Sequence, residues 1–133
     1  MIIVGSIFVI SIFITYSTGE KTIVFECSPE FWQENLDLWK VAGVNYNDDF
    51  DETFGKNYFE PDITLAQAIT KEGPGMNHLA RSGTAAYLNS LLDPGIDEEI
   101  VHKAVNLGYI HQIDNYLANC NEIEKEIPNI MFR

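Results

Sequence analysis

A chain of 133 residues is long enough for one domain and too short for two. Eight Lys and Arg face twenty Asp and Glu, a formal charge of −12, which disfavours a nucleic-acid partner because phosphate binding needs a basic surface. The 46% hydrophobic share is carried partly by the first residues, so the core of the remainder is smaller than that figure suggests.

Residues 1–19 hold no charged side chain, and Ile2 to Ile14 is almost wholly apolar. Ser17, Thr18 and Gly19 then offer small residues for cleavage before Glu20. This pattern predicts a secretory signal peptide over 1–19. The alternative is a retained anchor, because Met1 to Thr18 sits at the short edge of the roughly 17–25 residues that span a bilayer. Either way the remainder is expected outside the cytoplasm, secreted or anchored to the membrane by its N-terminus. Two cysteines in an oxidising compartment predict one disulfide, Cys27 to Cys120. Closing so long a loop would stabilise by roughly 4–5 kcal/mol through the entropy of the unfolded chain. Neither cysteine lies in a C-x-x-C motif, so a catalytic thiol has little support.

Lys21 to Glu26 is β-prone and reads as an extended arm or one lone strand. Ser28 and Pro29 are suited to start a helix, expected over Pro29 to Val41, with Gly43 as its left-handed stop. Phe31, Trp32 and Trp39 are its expected core contribution. Asn45 to Glu60 is acidic, but Phe50, Phe54 and Tyr58 recur at helical spacing, which predicts a short helix around Asp51 to Tyr58, broken or loosened at Gly55. Thr64 and Gln67 form a capping box for a helix ending near Lys71. After the loop Gly73-Pro74-Gly75, Met76 to Leu92 is the longest helical pattern. Met76, Leu79, Ala80, Gly83, Ala86, Tyr87 and Leu91 form its apolar face, with Leu79 and Tyr87 expected in the core. Its small residues predict a close neighbouring helix. Asp97 caps a further helix with Ile100, Val101, Ala104 and Val105 on its apolar face. Gly108 divides it from a last helix carrying Ile110, Ile113, Tyr116 and Leu117. The expected fold class is all-α: a compact bundle of five or six short helices over 20–121, behind the signal peptide, with 122–133 a loosely held charged tail.

The opening Cys27-Ser28-Pro29-Glu30-Phe31-Trp32-Gln33-Glu34-Asn35 resembles that of a family of small exported modules of bacteria and archaea, which begin Cys-x-Pro-Gly-Phe-Trp-Lys-Asn-His or similar. Three further pieces are similar: Asp51 to Gly55, Leu65 to Ala68, and Asn77 to Arg81 leading into Ala85-Ala86-Tyr87-Leu88-Asn89. Cys120 takes the place of that family's closing cysteine. Glu30 departs from the usual glycine, and Gln33 and Glu34 replace Lys and Asn. The resemblance implies a secreted or surface module and no particular reaction.

The run Asn47, Asp48, Asp49, Asp51 and Glu52 is the best candidate for chemistry, since hard cations need several oxygens. A calcium loop counted from Asp49 puts Asp51 and Glu60 at ligand positions. Phe54 falls where the sharp turn needs glycine, however, so Asp49, Asp51 and Glu60 are at most a weak metal site and no resident cofactor is expected. His78, His102 and His111 lack zinc spacing. Glu98 and Glu99 point apart on a helix, and His78 with Ser82 has no accompanying oxyanion loop. No catalytic residue is assigned. The favoured function is a non-enzymatic module that binds a protein at the cell surface or in the extracellular space. An extracytoplasmic accessory subunit of a membrane complex, tethered if Met1 to Thr18 is retained, and a small metal-dependent enzyme are the alternatives.

Overall fold

The computed structural model describes residues 19–132. Apart from Gly19, the leader expected over 1–19 lies outside them. The described chain is mostly helical but carries one two-stranded antiparallel sheet, which corrects the all-α expectation. It divides into two compact units, 19–24 with 124–132, and Phe25–Ile123.

In the first unit, strand β1 (Glu20–Phe25) begins and strand β2 (Ile123–Pro128) ends. The segment expected as a loose tail is thus a paired strand followed by a 3₁₀ turn, Asn129–Phe132. Ile123 and Ile127 are buried and alternate with exposed Glu124 and Glu126, the two-residue period of a half-buried strand. The density of charge hides that alternation in the sequence. The Asn129 backbone N–H donates to the Gly19 carbonyl at 3.1 Å.

The helical unit runs α1 (Pro29–Glu34), a 3₁₀ helix (Leu36–Ala42), α2 (Phe50–Phe54), α3 (Leu65–Ile69), α4 (Met76–Leu92), α5 (Glu98–Leu107) and α6 (Ile110–Asn119). Its ends are joined by the Cys27–Cys120 disulfide, with Cα atoms 6.1 Å apart. The expected helix Pro29 to Val41 is broken at Asn35. The Asn35 side chain donates to the Phe31 carbonyl at 2.8 Å, displacing the backbone bond of a continuing helix. The Trp32 carbonyl accepts from the Trp39 ring N–H at 2.9 Å. Gly43 closes the segment at φ 76°, where a side chain would be strained.

Other local signals hold with shorter extents. Asp49 caps α2 and accepts from the Glu52 N–H at 2.9 Å, and Gly55 breaks that helix, one of the two outcomes expected there. Thr64 and Gln67 form the capping box reciprocally, at 3.1 and 2.9 Å. A backbone bridge pairs Asp49 with Thr64, so α2 and α3 start side by side.

α4 is central: α1, the 3₁₀ helix, α3, α5 and α6 all pack on it. It is consequently buried around much of its circumference rather than on one face, with Ser82, Thr84, Asn89 and Ser90 inside. A Cβ on Gly83 would stand 2.9 Å from the Val105 side chain, so α5 approaches closely at the small-residue stripe. Trp32, Trp39 and Leu79 are buried, whereas Phe31 and Tyr87 are only partly covered. Trp32 stacks on Phe25, with ring centres 5.6 Å apart, and its ring N–H donates to Asn89 Oδ1 at 2.8 Å. The Asn89 amide donates in turn to the Cys27 carbonyl at 2.9 Å. Two of the stretches that carry the family resemblance, Cys27 to Trp32 and Ala85 to Asn89, therefore meet in one buried hydrogen-bonded knot.

Candidate functional site

The candidate metal residues take separate roles. Asp49 is engaged as a helix cap. Asp51 is turned inward and only 7% exposed; its Oδ2 accepts from the Phe59 N–H at 3.4 Å, and Oδ1 is buried with no hydrogen-bond partner among the described residues. Glu60 is exposed. Among the described residues, no three His, Cys, Asp or Glu side chains are arranged to hold a metal ion. Asp62, which no sequence pattern singles out, joins this cluster. The charge of Asp49 holds its carboxyl above the ordinary range, with desolvation, the charge and hydrogen bond of Asp51, and the charge of Glu60 adding. Burial, then the charge of Asp51, raises the pKa of Tyr58, whose hydroxyl donates to Asn106 Oδ1 at 2.6 Å. The arrangement concentrates like charge and favours proton uptake at Asp62.

The histidines are dispersed. His78 lies 3.0 Å from Asp114, tying α4 to α6. His102 sits between Phe54 and Tyr87, with ring centres 5.1 and 5.2 Å away, and its Nε2 is buried without a partner among the described residues. His111 is exposed. Ser82 is buried, and His78 is engaged by Asp114, so these two make no nucleophile–base pair facing solvent. Burial, then the charges of Glu98 and Asp48, raises the pKa of Tyr87.

Two concave surfaces stand out on α5 and α6. The first is apolar. Ile100, Leu107 and Tyr109 are 45%, 52% and 53% exposed. A cavity of about 290 Å³ lies among Ile100, Lys103, Ala104, Tyr109 and Gln112, and a shallower one of about 540 Å³ continues past Tyr109 to His111. Helical spacing predicts Ile100 on the buried face with Val101, Ala104 and Val105; the structure turns it outward. The seven-residue step from Ile100 to Leu107 is the signal that a second, outward stripe runs along α5. The second surface, of about 430 Å³, is lined mostly by polar side chains and lies between the Asp93–Ile96 turn and α6.

No helix of the described residues is long and apolar enough to cross a membrane. Compared with protein families, curated proteins and solved structures, the chain finds no match.

Proposed function

We propose that this chain is an exported, non-enzymatic helical module that acts by binding another protein outside the cytoplasm. The observation that carries this reading is a set of three large apolar side chains left in solvent: Ile100 and Tyr109 beside a concavity on α5 and α6, and Leu107 two turns along α5 from Ile100. Such patches mark contact surfaces on small soluble domains, and aromatic side chains are enriched at their centres. With the chain at −12, the fitting partner presents apolar residues ringed by Lys and Arg, while a second copy of the chain would be repelled. The Cys27–Cys120 bond suits an oxidising compartment, in keeping with the signal-like leader and with the resemblance to exported modules.

The test has two stages. Native co-purification from the source organism identifies a partner, and the purified pair is then titrated directly. Ile100→Asp with Leu107→Asp should weaken binding by about tenfold or more without loss of helicity, as expected for central interface residues. Unchanged affinity in that variant would sink the reading.

A further inference from the structure

We propose that the polar groove beside α6 is a binding site for a neutral saccharide, a mono- or disaccharide. Its walls are Asp93 and Ile96 from the turn, and Gln112, Asn115, Tyr116 and Asn119 from α6. Asn115 and Asn119 are four residues apart on one helix face, so their amides project side by side. Both are exposed, and neither side-chain amide has a hydrogen-bond partner among the described residues. Each amide offers an acceptor oxygen and two donor hydrogens. Across the groove, Asp93 Oδ1 accepts from the Gly95 N–H at 2.9 Å, which fixes the carboxylate and leaves it acceptor capacity. Tyr116 accepts from the Gln112 side chain at 2.9 Å, which leaves its own O–H available to donate. Cys120 also lines the groove, so the disulfide anchors that wall.

The chemistry selects the ligand class. No Lys, Arg or His lines the groove, so an anion would meet no countercharge. One carboxylate falls short of the oxygen shell that a hard cation requires. Mixed donors and acceptors beside the Tyr116 ring and Ile96 match a sugar, whose adjacent hydroxyls both donate and accept and whose C–H faces pack on apolar surface. The volume of about 430 Å³ lies within the roughly 300–1,000 Å³ of small-ligand clefts.

The oxidised protein, labelled with nitrogen-15, is titrated separately with cellobiose, chitobiose, mannobiose and lactose, and with inorganic phosphate as an anionic control. At least one disaccharide should give saturable amide shifts centred on Gly95, Asn115 and Asn119, with a Kd in roughly the millimolar range. The double variant Asn115→Ala with Asn119→Ala, on an exposed face, should keep a dispersed spectrum and weaken that binding at least about tenfold. Absence of saturable shifts with all four sugars, shifts elsewhere, equal binding by the double variant, or phosphate saturating the same residues would overturn the proposal.

Discussion

Two of the buried polar side chains of the helical unit are treated in opposite ways. Asn89 is 1% exposed, and its amide both accepts from Trp32 and donates to the Cys27 carbonyl. Asp51 is nearly as buried, yet one of its oxygens has no partner among the described residues, and its charge is among those that raise the pKa of Asp62. A neutral amide has donors and acceptors and can close a network, while an ionised carboxylate can only accept. Asn89 therefore knots α4 to the start of α1, whereas Asp51 and its neighbours leave a point of electrostatic cost beside α2.

The largest expected effect lies at the Asn89 knot. Reducing the disulfide, or Cys120→Ser, should lower unfolding free energy by about 2–5 kcal/mol, with helical circular dichroism retained below the new midpoint. A loss below about 1 kcal/mol in chemical denaturation would mean that Asn89 and the aromatic packing already hold the two ends together.

Asn89→Ala should cost about 2–4 kcal/mol, because it strands the Trp32 ring N–H and the Cys27 carbonyl and opens a cavity. A cost near that of an exposed substitution, within about 0.5 kcal/mol, would break the contrast with Asp51.

Asp51→Asn should be far milder, within about 1 kcal/mol of the parent and on the stabilising side at neutral pH, since it removes a poorly paired buried charge. A loss like that of Asn89→Ala, measured by the same denaturation, would show that the carboxylate is a structural acceptor as fully engaged as the Asn89 amide.

The smallest effect belongs to Asp62, which is exposed and screened. Its pKa is raised in the folded state, so the native protein binds this proton more tightly than the unfolded chain does. Stability from this group therefore falls as pH rises from the ordinary carboxylate value through the raised one. Asp62→Asn should raise Tm slightly at neutral pH and low salt, and the gain should vanish in acid and shrink in high salt. A gain independent of pH would assign it to some cause other than the Asp49 and Asp51 charges.

Elements whose signals are short-range were legible in the chain alone. Thr64 with Gln67, Asp97 before Glu98, and Gly43 and Gly108 as left-handed stops are decided within a few residues by backbone groups that need partners. The pairing of Cys27 with Cys120 needed only their number and an oxidising compartment. What tertiary structure alone decided depends on partners distant in sequence. Asn35 ends α1 where the Trp39 ring returns to the Trp32 carbonyl. The charged segment from Ile123 becomes a strand once β1 supplies the hydrogen bonds its backbone lacks. Ile100 faces solvent because α4 covers the Val101 and Val105 side of α5, and one helix cannot turn both stripes inward. Sequence spacing shows which side chains share a face; which face is covered depends on where the neighbouring helices pack.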